Sequence, residues 1–142
     1  MQTSAGLREA QAGLENQSWD ILGQTYVPKH VSESCFSWHA TLPAETFVPR
    51  HRHDTQDEYI FILEGKLDFV LDQKDIKAGP GDMVALPRGI PHSIHNNSGS
   101  TVKCIFWVTP TRMLYEYFPK ISGMTDKDEI ARLAGEHEVP FG

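Results

Sequence analysis

The sequence feature that most constrains the fold is a repeated alternation of short apolar runs with turn-forming residues, which begins at Trp19. Segments 78–82 and 87–89 are rich in Gly and Pro, and Glu64-Gly65 separates two apolar runs as a tight hairpin would. This rhythm is typical of an all-β sandwich or barrel, whose successive strands we expect to be antiparallel neighbours. The predicted strands cover residues 34–42, 47–51, 58–63, 66–71, 83–86, 92–95 and 102–108.

Length and charge set the organisation of the chain. The 142 residues suffice for one domain, which we place at residues 19–142, after an N-terminal segment, residues 1–18, that we expect to be weakly ordered or helical at best. The net charge is −6 and the Lys and Arg residues are scattered, so nucleic acid is not an expected partner. The longest purely apolar runs have five residues, which predicts neither secretion nor a membrane span.

Two cysteines bear on the cellular compartment. Cys35 and Cys104 both fall in predicted strands, where a buried reduced thiol is commoner than a disulfide. We therefore expect a cytoplasmic protein.

Two further patterns concern packing. Ile105 and Trp107, with Tyr59 and Phe61, give their strands a second apolar face, which needs cover from another layer, the terminal segments or a second subunit. We expect a homodimer. Near the end of the chain, Asp126 precedes an amphipathic pattern as an N-cap would, which predicts a short C-terminal helix that ends near Gly135.

Candidate metal ligands occur where one predicted strand ends and the next begins. His51 and His53 are two residues apart, so on an extended chain both imidazoles point to the same face. A bend after His53 would bring in a carboxylate oxygen from Glu58, and a stiff turn at 87–91 would deliver His92. Three nitrogens and one oxygen suit a first-row divalent metal and leave positions open for other ligands.

Alternatives to this ligand set remain at this stage. A lone pair of histidines at this spacing is more often a surface feature than a metal site. Gln56 or Asp57 would replace Glu58 as the oxygen ligand if the bend were shorter. His95, three residues beyond His92, is expected to face the other way on its strand.

Longer spaced motifs contain these residues. The first runs from His51-x-His53 through Glu58 to Gly65, and the second contains Gly81, Pro87, Gly89, His92 and Asn96. The two motifs and the short linker between them, residues 66–80, resemble the signature motifs of the cupin superfamily. One position departs from that pattern, because Glu45 stands where the first motif usually opens with glycine.

The resemblance extends beyond the motifs. Residues 21–26, 109–118 and 139–141 look like the corresponding parts of single-domain, quercetin 2,3-dioxygenase-like cupins. This implies an all-β cupin fold, a double-stranded β-helix or jelly-roll barrel with a short C-terminal helix. It also implies one divalent metal ion (Fe, Mn, Ni, Co, Cu or Zn) held by His51, His53, Glu58 and His92.

By the same resemblance, the chain is expected to be a metal-dependent dioxygenase that acts with O₂ on an aromatic or enolic, flavonol-like small molecule. Glu58 would be both a ligand and the catalytic base. The alternatives are a non-redox cupin cyclase, isomerase or lyase, of which polyketide cyclases are an example, and a non-catalytic ligand-binding cupin.

A substrate pocket of aromatic and aliphatic side chains is expected around the metal. The same residues would equally be expected in the core of a barrel. The candidates are Phe36, Trp38, Phe47, Ile60, Ile62, Phe69, Leu86 and Phe106.

Overall fold

The computed structural model describes residues 4–142, which form ten β-strands, two α-helices and a short 3₁₀ turn at Leu14–Asn16. The strands are β1 (Trp19–Ile21), β2 (Gln24–Val31), β3 (Phe36–Leu42), β4 (Phe47–His51), β5 (Asp57–Glu64), β6 (Leu67–Leu71), β7 (Lys74–Ala78), β8 (Met83–Leu86), β9 (His92–His95) and β10 (Val102–Thr109). The helices are α1 (Leu114–Ile121) and α2 (Lys127–Glu136). The predicted all-β class is confirmed.

Two antiparallel sheets face each other. The larger sheet has the order β1-β2-β3-β10-β5-β8, and the smaller has the order β4-β9-β6-β7. Side chains alternate along the strands, as in β10, where Val102, Cys104, Phe106 and Val108 are buried. The core lies between the sheets, as in other sandwiches of this kind.

The predicted strand pairing is wrong. None of the strands predicted from sequence pairs with the next predicted strand, because the chain crosses from one sheet to the other between them. The Glu64-Gly65 turn illustrates the reason: it leads from β5 in the larger sheet to β6 in the smaller one and does not close a hairpin. Gly65 has φ +83°, and a Cβ there would lie 2.8 Å from Val102 Cγ2, so glycine allows the crossing close to β10.

Both helices lie near the C-terminus. The Asp126 side chain caps α2 as predicted, since it accepts hydrogen bonds from the backbone N–H groups of Asp128 and Glu129. Gly135 lies within α2, one residue before its end. Helix α1 was not predicted, because it is short and contains Pro119, yet its buried face is one of the walls of the site described below.

The motif residue Asn96 ties the chain together at the far end of β9. Its buried amide donates to the carbonyls of Leu42 and Ser100, and its oxygen accepts from the N–H of Ser98. These side-chain to backbone bonds satisfy carbonyls that the strands leave unpaired, which accounts for its place in the motif.

The outer face of the larger sheet carries the second apolar layer that the sequence indicated. Trp107 and Tyr59 are adjacent in register and their rings stack at 5.4 Å, while Phe61, Leu63 and Met83 are exposed. The expected homodimer, which would cover this face, stays a prediction. Cys35 and Cys104 are free thiols.

The N-terminal segment lies along β2. Arg8 Nε donates to the carbonyl of Lys29, and Lys29 Nζ donates to the carbonyls of Glu9, Ala10 and Ala12. The expectation for residues 1–3 falls outside the described residues. Within residues 4–142, neither helix has the length and apolar character needed to cross a membrane.

Candidate metal centre

Three histidines and one glutamate meet between the two sheets at one end of the sandwich. His51 and His92 face each other on paired strands β4 and β9, His53 follows β4, and Glu58 comes from β5 of the opposite sheet. All four side chains are buried, and one ligand atom from each lies within 4.8 Å of the others. The structure therefore brings together the residues that the spacing of the motifs singled out.

Hydrogen bonds orient the imidazoles. His51 Nδ1 lies 2.8 Å from the carbonyl of Pro49, and His92 Nδ1 lies 3.0 Å from the carbonyl of Ile90. Because a carbonyl oxygen only accepts, each Nδ1 carries the proton and donates it. Each Nε2 is left with a lone pair that points into the cluster.

Gln56 orients the third imidazole in the same way. Its Nε2 donates to the carbonyls of Pro110 (2.9 Å) and Thr111 (3.1 Å), so its Oε1 faces His53 Nδ1 at 2.7 Å and accepts from it. Gln56 was an alternative oxygen ligand from the sequence, but here it lies behind His53 and outside the cluster. Its position in the chain between the motif ligands His53 and Glu58 was the one sequence signal of this supporting role.

The distances between ligand atoms fit an ion. His53 Nε2 lies 3.3 Å from Glu58 Oε2, His92 Nε2 lies 3.3 Å from Glu58 Oε1, and His51 Nε2 lies 3.2 Å from His53 Nε2. Ligands that sit about 2.1 Å from a first-row metal are about 3.0–3.4 Å apart at adjacent positions.

Two buried polar atoms, Glu58 Oε1 and His92 Nε2, have no hydrogen-bond partner. In addition, two Nε2 lone pairs that face each other at 3.2 Å repel unless a cation lies between them. Buried polar atoms without a partner call for an explanation, and a divalent cation satisfies all of these atoms at once. The cluster could therefore bind a metal ion.

Burial and neighbouring charges set the protonation states that metal ligands need. Burial, and then repulsion from His92 and His53, lowers the pKa of His51 to about 3, so its imidazole is neutral at neutral pH. Burial alone would raise the pKa of Glu58. Electrostatic interactions with His53, His92 and His51 outweigh this effect of burial and bring the pKa of Glu58 to about 2.

The cluster opens onto a small cavity of about 50 Å³ whose walls are largely apolar. Of the predicted pocket residues, Trp38 and Phe106 line this cavity. Five others are buried in the core without lining it: Phe36, Ile60, Ile62, Phe69 and Leu86. The remaining walls come from segments that the sequence did not assign to a pocket, chiefly Tyr26 on β2, the buried face of α1, and Val139 and Phe141 near the C-terminus.

The inward position expected of Phe47 is wrong. Phe47 is 43% exposed and its ring stacks on His95 on the outer side of the smaller sheet. The reason is a shift in the pairing of β4 with β9 between Val48 and His51, which breaks the two-residue alternation that starts at His51. Val48 lines the cavity instead.

Asp57 and His95 lie outside the cluster. The Asp57 carboxylate accepts hydrogen bonds from the backbone N–H and the guanidinium of Arg88, which lower its pKa. His95 lies 2.9 Å from the Ser93 hydroxyl and faces away from the metal cluster, as expected from its spacing.

Comparisons with known proteins agree with this fold. Residues 38–109 match the family model described as Cupin domain. The dimethylsulfoniopropionate lyase DddQ of Ruegeria pomeroyi is 30% identical over 77 residues, which cover 54% of this chain and 38% of that protein. The chain spans about half or less of the length of the curated relatives that it matches.

Solved structures of low sequence identity share the fold. An RmlC-like cupin from Shewanella frigidimarina superposes with a TM-score of 0.70 at 16% identity, over 81% of this chain and 99% of that chain. The polyketide cyclase RemF from Streptomyces resistomycificus superposes with a TM-score of 0.64 at 17% identity, over 75% of this chain and 80% of that chain. With its family model matched over 72 of 142 residues and its sandwich shared with these structures, the chain belongs to the cupin family.

Proposed function

We propose that the protein is a metal-dependent enzyme that converts a small organic molecule bearing a carbonyl or enol oxygen by non-redox chemistry, as a lyase, isomerase or cyclase. The observation that carries this proposal is the convergence of three imidazole lone pairs and the Glu58 carboxylate on one point at the edge of a small, largely apolar cavity. A site with four protein ligands leaves one or two positions for substrate on metals that accept five or six ligands.

The roles of the residues follow from their positions. His51, His53, His92 and Glu58 would hold the ion, which as a Lewis acid would polarise a substrate oxygen. Glu58 has two carboxylate oxygens in the cluster, so one can remain a ligand while the other accepts a proton from substrate. The apolar walls, among them Trp38 and Phe106, exclude water from the reacting atoms.

The proteins that resemble this chain support the non-redox class. One of the two curated relatives with 30% identity is named a lyase, and a solved structure that shares the fold is named a polyketide cyclase. Neither name describes an oxidation. These are properties of those proteins, and they bear on this chain through the shared family.

The second candidate is the dioxygenase that the sequence motifs suggested. It is favoured by the donor set of three imidazoles and one carboxylate, which accepts iron, manganese, nickel and copper as readily as zinc. Aromatic walls around the cluster also suit a flat aromatic or enolic substrate.

Turnover with and without oxygen separates these candidates. Metal-loaded protein is offered flavonols, enolisable aromatic ketones and β-substituted carboxylates, while product is followed by mass spectrometry and oxygen by an electrode. We expect turnover of at least one compound at the same rate in air and under argon, without oxygen uptake, because Lewis-acid chemistry needs no oxidant.

The Glu58→Gln variant serves as the control for metal-dependent chemistry, since it removes the proton acceptor. Turnover that stops under argon and consumes one O₂ per product in air would contradict the non-redox proposal and identify a dioxygenase. Tight binding of a compound without any turnover would instead identify a ligand-binding cupin.

A further inference from the structure

An open groove of about 670 Å³ lies directly beside the metal cavity. We infer that this groove is the outer half of the substrate site: a small oxygen-bearing head group reaches the metal in the cavity, and a larger, neutral, mainly apolar body lies in the groove. This inference rests on the proposed function and names the class of substrate.

The first argument is size. The cavity of about 50 Å³ has room for a few water molecules, since each needs roughly 10–15 Å³ of accessible volume. Sites for drug-sized or metabolite-sized ligands usually measure about 300–1,000 Å³. The groove falls within this range and the cavity does not, so an aromatic or polyketide-sized molecule needs both.

The second argument is that one wall is common to both spaces. Leu22, Pro49 and Phe141 line the metal cavity and also the groove. The partition between the two spaces is therefore one layer of side chains. These three residues separate the groove from the cavity that contains the metal cluster.

Of the three partition residues, Phe141 is the one that we expect to open. Pro49 is fixed within β4 and Leu22 within the tight β1–β2 turn. Phe141 belongs to a C-terminal strip, residues 138–142, that lies along the edge of β4: Asp54 N–H donates to Glu138 O, Arg52 N–H to Pro140 O and Gly142 N–H to Arg50 O. A strip paired along only one edge opens at lower free energy than a central strand.

The third argument is the chemistry of the groove. Its apolar surface comes from Phe47, Met124 and Ile130, together with the shared residues. Its charged groups are two carboxylates, Asp20 and Glu45, and one ammonium, Lys127. The excess of negative charge disfavours a phosphorylated or polyanionic body, and the apolar surface favours an aromatic one. The outward position of Phe47, unexpected from the sequence, gives it a place in this surface.

Two hydroxamates of different size test the inference on zinc-loaded protein by isothermal titration calorimetry. Acetohydroxamate offers a metal-binding head alone, and 2-naphthohydroxamate adds an aromatic body. We expect the naphthyl compound to bind at least tenfold more tightly. Thr125 is exposed and lines the groove away from the metal cavity, so Thr125→Trp should fill the groove and reduce this gain to less than threefold. Binding of acetohydroxamate should stay within twofold of the original.

Matched variants complete the design. Thr101→Trp places the same side chain on the exposed residue before β10, outside the groove, and should leave the tenfold gain intact. Thr46→Trp fills the groove from the residue before β4 and should act like Thr125→Trp. Phe141→Ala thins the partition and should raise the association rate of 2-naphthohydroxamate at least threefold in stopped-flow measurements.

The inference is overturned if both compounds bind equally, or if the tenfold gain survives both Thr125→Trp and Thr46→Trp. Retained binding of acetohydroxamate shows that a variant is folded and metal-loaded, so a lost gain cannot be attributed to misfolding. If neither zinc nor any other divalent metal binds the unmodified protein, or if acetohydroxamate fails to bind the metal-loaded protein, the proposed function itself fails, which is a separate outcome from failure of the groove.

Discussion

His51→Ala should weaken the binding of zinc by about 100- to 1,000-fold. A four-ligand zinc site contributes on the order of 10–16 kcal/mol, so one ligand accounts for about 2.5–4 kcal/mol, and each 1.4 kcal/mol is a tenfold change in affinity. The His51 imidazole is buried, and its Nε2 lies 3.2 Å from that of His53. No other described histidine can replace it within the cluster. Competition with a chromophoric chelator measures the effect.

His95→Ala is the matched control. His95 lies on β9 with His92, but its ring stacks on Phe47 outside the cluster. Its replacement should leave the zinc affinity within threefold of the original. Equal affinities of the His51→Ala and His95→Ala variants would show that the buried cluster does not hold the ion.

Gln56→Leu should weaken zinc binding by about 10- to 100-fold, the usual effect of removing a group that orients a metal ligand. Leucine is close in size but offers no hydrogen-bond acceptor to His53 Nδ1. In the unmodified protein this atom lies 2.7 Å from Gln56 Oε1. The imidazole proton is then free to move to Nε2, where it blocks the atom that binds the metal. Long-range ¹H–¹⁵N correlation spectra of the apo-protein report which nitrogen of His53 carries the proton.

The Gln56→Glu variant separates the two roles of Gln56: its hydrogen bond to His53 and its hydrogen bonds to the backbone of Pro110 and Thr111. A carboxylate still accepts from His53 Nδ1 but no longer donates to the carbonyls of Pro110 and Thr111. This variant should therefore keep the Nδ1–H tautomer and a zinc affinity within about tenfold of the original. An unchanged tautomer and unchanged affinity in Gln56→Leu would contradict the role assigned to Gln56.

The four cluster residues could be named from the sequence because they stand at set positions in two spaced motifs that resemble those of cupins. On an extended chain two residues apart, His51 and His53 share a face, and the turns before Glu58 and His92 are short and stiff. The place of Gln56 behind His53 was not foreseen, because it depends on carbonyls of Pro110 and Thr111 that are distant in sequence.

The parts that the sequence did not predict are non-local. The orientation of Phe47 depends on a bulge in the pairing of β4 with β9, which the sequence of β4 alone does not reveal. The pairing of strands depends on sheet crossings such as the one at Gly65. The walls contributed by α1 and by Phe141 come from a short helix that contains Pro119 and from the segment after α2, and their position over the metal cluster depends on tertiary packing.

The metal content of the protein tests the central claim most directly. Apo-protein is incubated with Fe, Mn, Ni, Co, Cu or Zn ions in separate samples, freed of unbound metal by gel filtration, and measured by inductively coupled plasma mass spectrometry. The cluster of His51, His53, Glu58 and His92 predicts one tightly bound ion per chain for at least one of these metals, and its loss in His51→Ala. A protein that stays metal-free with every one of these ions would contradict the account.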